Sequence, residues 1–428
     1  MTLRVLIAGA GLGGLTLAHG LRACGIHVTL FERAQPQPDP ATSFRIHLDP
    51  NGCRALHACL PRPVWNAFDS RSGSPPRGIA FTTQHLRPLT FISEASAPDD
   101  PVGHSRPISR IGLREILLTG LEDAVHYDKR VVRYEHPGDG SVVVHLADGT
   151  SDCGDVLVGA DGSSSAVRKQ LVPRAELVDA GVAGIAGKLY LNESTRAYVP
   201  ADLLSQMTMV LPWAGMGMFM ASLQHTPGSA LVADVDLPDH LFWVIIGRPA
   251  ALGLTSEVRS RAGAELQELA LARAAGWHPL LRSVIRESAT DTIVATPLHT
   301  ARPVQPWATT NVTLLGDAIH TMPPLQGLGG NTAILDAALL RQSLVDVDRG
   351  RTELCCALRE YERTMLRYGF EAVRRSVQVS DAVASTNRLG RAAFAGMLRV
   401  TDLLPPLRRA MFERPTATAT AVARTPAG

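Results

Sequence analysis

The chain has 428 residues and a formal net charge of +2, with 42 basic side chains against 40 acidic ones. That length supports two or three domains with ordinary cores, and near-neutral charge gives no basis for binding nucleic acid or an anionic membrane. The six cysteines (Cys24, Cys53, Cys59, Cys153, Cys355 and Cys356) form no Cys-x-x-Cys pair or other metal-ligand spacing, no apolar run reaches membrane-spanning length and no leader pattern is present, so a metal-free cytoplasmic protein is expected.

Leu3 to Ala8 is a short apolar run of the kind that forms a buried parallel strand. Gly9-Ala10-Gly11-Leu12-Gly13-Gly14 follows at once, then a helix from Leu15 to Cys24 with Leu15, Ala18 and Leu21 at helical spacing. A second strand, His27 to Phe31, ends at Glu32. This is the order of a dinucleotide-binding fold. Gly9 permits a tight turn, Gly11 lets backbone approach a pyrophosphate, and Gly14 lets helix and strand pack closely. The helix N-terminus offers free N–H groups to phosphates. Glu32 stands where an acid bonds a ribose hydroxyl, which suits FAD or NAD better than NADP.

Gln35 to Pro40 and Ser70 to Arg77 read as loops. Between them lie Phe44 to Leu48 and a short helix from about Asn51 to Leu60. Ser109 to Leu121 reads as a helix carrying Arg110 and Arg114. Ser141 to Val158 reads as a β-hairpin about the turn Ala147-Asp148-Gly149-Thr150. A second glycine motif follows, Gly159-Ala160-Asp161-Gly162 with Ser163 to Arg168, at the passage from strand to helix. There Asp161 either bonds a ribose or caps the helix.

From about Ala180 to Thr300 strand-like runs dominate: Gly187 to Leu191, Gln206 to Leu211, Met216 to Leu223, Ala230 to Val235 and Phe242 to Ile246. Val312 to Leu315 is again a short buried strand, and a third motif stands at its end: Gly316-Asp317-Ala318-Ile319-His320, then Pro323-Pro324 and Gly327-Leu328-Gly329-Gly330-Asn331. Asp317 therefore sits at the carboxyl end of a sheet, where ligands bind in open α/β folds. Thr332 to Val347 is apolar on most faces, as a buried helix is. An amphipathic helix past Arg351 ends at Gly390, another short one precedes Pro405, and Pro415 to Gly428 is a disordered tail.

Taken in this order and spacing, the three glycine motifs resemble those of the single-component FAD-dependent aromatic hydroxylases of the para-hydroxybenzoate hydroxylase type. The resemblance covers roughly residues 1 to 345, and weakly the helix after Tyr361-Glu362-Arg363. It implies an α/β protein with a Rossmann-like FAD-binding domain, an inserted, mostly antiparallel β-sheet substrate domain and a C-terminal helical segment. The expected partition is 1–179 and 301–347 for the FAD-binding domain, 180–300 for the substrate domain, 348–414 for helices and 415–428 for the tail. FAD is expected on Gly9, Gly11, Leu12, Gly13, Gly14, Glu32, Arg33, Asp161, Gly162, Gly316, Asp317, Pro324, Gly327, Gly329, Gly330 and Asn331. The resemblance gives Asp317 a ribityl hydroxyl and turns Arg110, in the match to an Arg-x-x-Leu-Arg helix, toward the flavin, with Arg45 a second cation near the ring or phosphates. Leucine at 328 departs from the glutamine or other polar residue more usual there, which leaves a role for the backbone amides alone.

The implied reaction takes electrons from NADPH or NADH, adds O2 to the reduced flavin as a C4a-hydroperoxide and passes one oxygen atom to a small hydrophobic aromatic substrate. His47, His225 and His320 are the histidines that could serve as a base. Met216, Met218 and Met220 share one strand face and, with Phe219 and Pro323, either border the substrate or fill the core. No Arg or Lys lies between Met207 and Met220, so a bulky, uncharged, polycyclic natural-product intermediate is expected. A flavin reductase or dehydrogenase without oxygen insertion, and a non-catalytic flavin-binding protein, remain open.

Overall fold

A computed structural model describes residues 2–35, 44–94, 100, 102–212, 215–225, 238–255 and 263–403. The expected strand at 230–235, Trp213 and the tail 415–428 lie outside the described residues.

The Arg4–Ala8 strand is apolar on both faces because it is buried on both: Val5, Leu6 and Ile7 have no exposed surface. It lies at the centre of a five-stranded, all-parallel sheet in the order Val312–Leu314, Val156–Gly159, Arg4–Ala8, His27–Phe31, Val125–His126. Helix Leu12–Arg22 follows the first strand and packs on helix Leu328–Asp348, which arrives some three hundred residues later in the chain. The chain thus leaves this unit and returns to it, and the return places the third motif beside the first.

The expected hairpin is corrected at its second half. Val142–Leu146 pairs antiparallel with Ser151–Gly154, but Val156–Gly159 belongs to the parallel sheet beside Arg4–Ala8. Asp155 marks the change of sheet: its carboxylate accepts the Arg4 N–H at 2.7 Å, and its own N–H donates to the Arg4 carbonyl. Val156, Leu157 and Val158 are fully buried, so a continuous apolar run marked a two-faced strand and not a hairpin arm.

A seven-stranded sheet forms the second layer, in the order Val294–Ala301, Leu177–Tyr190, His240–Gly247, Met216–Leu223, Met207–Val210, Gly78–Thr82, Pro88–Ser93. All neighbours are antiparallel except Met207–Val210 with Gly78–Thr82. Its last two strands come from residues 78–93, which sequence reading left without an element. One face packs on helices Gly263–Arg273 and Pro279–Arg286 around Trp243, Leu281 and Val284. The opposite face carries Met209, Phe219, Val244 and Ile246 and looks toward the parallel-sheet unit.

Helix Leu354–Ala384 joins the two layers. Its first half touches the parallel sheet: the Tyr361 hydroxyl donates to the Leu314 carbonyl at 2.9 Å, and buried Glu362 accepts from Trp307, Thr309 and Thr313. Its second half lays Val379 and Val383 on the seven-stranded sheet. The expected stop at Gly390 is corrected: the helix ends at Ala384, and Gly390 lies inside the next helix, Arg388–Leu403. Asn387 accepts the Gly390 N–H at 3.1 Å, the hydrogen bond of an N-cap, so the turn is set by asparagine and not by glycine.

Candidate flavin and substrate site

The three glycine motifs meet at the carboxyl ends of the parallel strands. Gly9 has φ +106°, and a Cβ on it would collide with the Ala160 carbonyl, so only glycine lets the first and second motifs touch. A Cβ on Gly14 would strike the Gly9 carbonyl, and one on Gly13 the Leu315 side chain. Gly11 is different: it is exposed and faces open space. It precedes a helix with no side-chain cap and no acid in its first turn, which leaves N–H groups directed at an open groove. Leu12 is half-buried beside Gly330 at 3.7 Å from the position of a Cβ there.

Acidic side chains rim this groove. Glu32 accepts from the Ala10 N–H at 2.8 Å and the Ala34 N–H at 2.9 Å, which fixes its carboxylate within the first turn. Exposed Arg33 donates to Ser164 at 2.8 Å, tying the end of the second strand to the second motif. Asp161 accepts the Ala166 N–H at 2.7 Å through Oδ2, in the first turn of helix Ala166–Leu171, whose N-cap is Ser165. Its Oδ1 is buried with no hydrogen-bond partner among the described residues. Gly162 turns the chain at φ +73°. Arg168 donates to the Ala318 carbonyl at 2.9 Å and the Ser163 carbonyl at 2.8 Å, binding the second motif to the third.

Gly316, at φ +62°, starts the Asp317–His320 helix. The Asp317 carboxylate makes no hydrogen bond among the described residues. Its side chain opens to the concavity yet has protein around most of it. That enclosure pushes its pKa up, against the pull of His320 and Arg110. Arg110 itself is exposed at the start of helix Arg110–Leu118, on the Asp317 side of the groove. Gly329 stands over Asp317, with room for a Cβ 3.9 Å from Oδ1. Pro324 is exposed while Pro323 is buried, which removes Pro323 from direct substrate contact. Gly327 is left-handed at φ +64°, and helix Leu328–Asp348 begins without a side-chain cap.

Two expected contacts are corrected here. The Asn331 side chain donates to the carbonyls of His47 and Gly327, both at 2.8 Å, and accepts the Asp49 N–H at 3.0 Å. Gly52 leaves the space for it. Asn331 therefore locks the third motif to the Arg45–Leu48 strand, with its amide fully used. His320 is also excluded as a base, because it has no exposed surface. Its Nε2 lies 2.7 Å from Asp336 Oδ2, and the same carboxylate accepts the Gly316 N–H at 2.7 Å and the Tyr368 hydroxyl. Burial alone would push the His320 pKa down; the Asp336 carboxylate reverses this and the net shift is upward. Sequence reading missed Asp336 and Tyr368. The available signal was an acid inside an otherwise apolar buried helix, since a buried carboxylate must be paired.

The remaining histidines differ in access. His225 is held by Asp239, with Nδ1 3.0 Å from Oδ1. His47 lies under Gly327, with Nε2 3.4 Å from Glu94 and Nδ1 buried without a partner. His47 is the histidine placed between the flavin loop and the second sheet.

The methionine face is corrected as well. Met216, Met218 and Met220 are at most 5% exposed and fill the core against the outer helices. Phe219, one residue out of phase, lies on the inner face with Met209, Val244, Ile246 and Leu325 of the third-motif loop. Phe242 shares that face and packs on Phe44, ring centroids 5.2 Å apart, and Lys188 stands 5.5 Å from the Phe44 ring. The Arg45 side chain enters a cavity of about 140 Å³ with Met207, Ala221, Ser222 and Gln224 of this sheet. Burial pushes Lys188 down to about 8 and Arg45 down to about 10.

Exposed glycine backbone at Gly11, uncapped helix starts at Leu12 and Leu328, an orphaned buried oxygen on Asp161 and an unpaired Asp317 together fit a flavin dinucleotide. Comparison with known proteins agrees. The FAD binding domain family matches residues 253–376. The chain is 30% identical over 388 residues to the dual O-methyltransferase/FAD-dependent monooxygenase CTB3 of Cercospora beticola, spanning 84% of this chain but only 44% of that protein's length. It is 30% identical to the FAD-dependent urate hydroxylase of Klebsiella oxytoca, over 84% of this chain and 85% of that one. A solved structure assigned as an FAD-containing monooxygenase, from Photorhabdus luminescens, superposes with TM-score 0.81 at 33% identity, covering 90% of this chain and 99% of that one. On the strength of the site and these relatives, the chain belongs to the FAD-dependent aromatic hydroxylases, a family of flavoprotein monooxygenases.

Proposed function

We propose that this chain oxygenates a hydrophobic, fused-ring aromatic molecule, using NADPH or NADH and O2. The observation that carries the reading is the juxtaposition of two surfaces. A groove of exposed backbone amides and carboxylates, fit for FAD, ends where Leu325 and His47 meet the apolar inner face of the second sheet. FAD supplies the electron transfer and oxygen activation when bound. The chain's residues do the rest. Glu32 and Asp317 would hold sugar and ribityl hydroxyls, and the N–H groups at Leu12 and Gly13 would meet phosphate. The uncapped start of helix Leu328–Asp348 offers partial positive charge to a reduced ring. Phe219, Phe242 and Val244 would supply a flat apolar wall that orients an aromatic ring and excludes water. No protein nucleophile is required.

The test is NAD(P)H oxidation and oxygen uptake by the FAD-loaded protein, with and without fused-ring phenols. Oxygenated product found by mass spectrometry, in proportion to NAD(P)H consumed, is the expected result. Ligand-stimulated NAD(P)H oxidation with no oxygen in the product would select a reductase instead.

A further inference from the structure

We propose that helix Arg388–Leu403 is a membrane-contact element, whose outer face lies on an anionic phospholipid surface. The near-neutral charge of the whole chain gave no reason to expect this. The reason lies in how exposure and charge are distributed along the chain.

The helix has two apolar faces, and the fold covers one of them. Leu398 and Thr401 are fully buried, and the helix packs on Pro88–Ser93, the edge strand of the seven-stranded sheet. Arg391 fixes its start, donating to the carbonyls of Val383, Ser385, Pro212 and Met216. Asp402 fixes its end by accepting the Thr90 hydroxyl at 3.3 Å. At about 3.6 residues per turn, Leu389, Ala393 and Val400 fall together on the side opposite Leu398. Leu389 is 84% exposed and Val400 47%, and Phe394 stands on the shoulder at 37%. Among the described residues these are three of the four large apolar side chains that are exposed; the fourth is Val132. Apolar exposure is thus gathered on one helix, the mark of a contact surface and not of chance.

Charge and area identify what covers it. Residues 388–428 hold seven arginines against Asp402 and Glu413, a net charge of +5. The other 387 residues hold 35 basic and 38 acidic side chains, a net charge of −3. The total of +2 is therefore a basic segment attached to an acidic body. Exposed Arg399 borders the apolar face, and in the sequence beyond the helix Leu407, Met411 and Phe412 alternate with Arg408, Arg409 and Arg414. Apolar and arginine side chains so mixed suit the boundary between acyl chains and anionic headgroups. A second copy of the chain fits less well. A stable protein interface takes about 800 Å² from each partner, more than one face of a 16-residue helix supplies. No helix among the described residues is long and apolar enough to cross a membrane, so the contact is one of lying on the surface. For an enzyme that takes apolar fused rings, as proposed above, this sets the second sheet beside the phase where such molecules concentrate. Vesicle binding itself is independent of that reading.

The experiment sediments the full-length, FAD-loaded protein with vesicles of phosphatidylcholine alone or of phosphatidylcholine with phosphatidylglycerol. Wild type should bind the anionic vesicles about ten-fold or more tightly than the neutral ones, and less as salt is raised. The double variant Leu389→Glu, Val400→Glu should lose about ten-fold or more in binding while keeping its FAD complement and thermal midpoint. Arg399→Gln should lose about five-fold, and Val132→Glu, on the three-stranded sheet, should bind as wild type does. Failure to bind anionic vesicles, equal binding to neutral ones, or an equal loss in Val132→Glu overturns the proposal. So does a wild-type dimer, seen by light scattering without vesicles, that the double variant turns into a monomer, since the face would then belong to a second copy. None of these results touches the monooxygenase reading, which stands or falls on oxygen uptake.

Discussion

Asp317 of the third motif and Asp336 of the helix that follows it, nineteen positions apart, show how environment divides labour between identical side chains. Asp336 has no exposed surface and three donors: the Gly316 N–H, His320 and the Tyr368 hydroxyl. Asp317 faces the groove with none, and its surroundings push its pKa above the ordinary 3.8. A raised carboxyl pKa means the ionised form opposes folding, a cost that sets in as pH rises from the unfolded value through the folded one. Asp317→Asn should therefore raise the thermal midpoint of the FAD-free protein at neutral pH. The same change should weaken FAD binding by roughly ten- to a hundred-fold, because one charge-assisted hydrogen bond is lost. Flavin fluorescence quenching measures the second effect, and unchanged affinity would remove Asp317 from the site. His320 has the opposite sign. Its pKa is raised above 6.5 beside Asp336, so its stabilisation is fully present below that pH and fades as pH rises through the folded value. The stability gap between wild type and His320→Gln should narrow toward alkaline pH. Tyr368→Phe, which strips one donor from a buried carboxylate, should cost about 1–3 kcal/mol in denaturant unfolding.

At the scale of elements, what the sequence makes legible is local and what it hides is the partner. Alternation along Met216–Leu223 is visible at once, and so is the sharing of one face by Met216, Met218 and Met220. Which face meets the flavin unit is not visible, because it depends on helices Gly263–Arg273 and Pro279–Arg286 covering one side and Leu325 and Val383 lying on the other. The strand–turn–helix order at Arg4–Arg22 was readable for the converse reason: glycines, strand and helix are adjacent in the chain. Arg45 was readable as a cation near the site but not as one directed at the second sheet, since its reach depends on strands 207–210 and 216–223. A pair of adjacent substitutions tests the assignment of faces. Met218→Ala should destabilise the protein by about 2–5 kcal/mol, as a fully buried core truncation does, and leave ligand-induced changes in the flavin spectrum alone. Phe219→Ala, on the half-buried inner face, should do the reverse. Loss of aromatic-ligand binding on truncating Met218, with stability intact, would mean that the faces are assigned backwards.

At the scale of the whole molecule, one nucleotide fold is present among the described residues, and that has a kinetic consequence. The strand order places Gly9–Gly14, Asp161 and Asp317 at one end of one parallel sheet, the end that fits the flavin dinucleotide. No second glycine turn follows a strand in the manner of the first, so the nicotinamide donor has no equivalent cradle among the described residues. Arg168 is not free to anchor its phosphates, because two of its nitrogens serve the Ala318 and Ser163 carbonyls and the side chain is buried. On the proposed reading the donor would meet the flavin transiently, and the exposed residues Arg33 and Arg110 are the candidates to guide it. Meanwhile the inner face of the second sheet, bridged to the first unit by helix Leu354–Ala384, is where an aromatic ligand would press on the same region. Occupation of one side should alter access on the other, which makes reduction dependent on substrate. In stopped-flow measurements NAD(P)H should reduce the flavin slowly alone and many-fold faster with a coupled aromatic ligand. Arg33→Ala and Arg110→Ala should raise the apparent Kd for NAD(P)H more than they change the ligand-dependent acceleration. A reduction rate indifferent to every aromatic ligand would refute the coupling between the two layers, even in a protein that binds FAD fully.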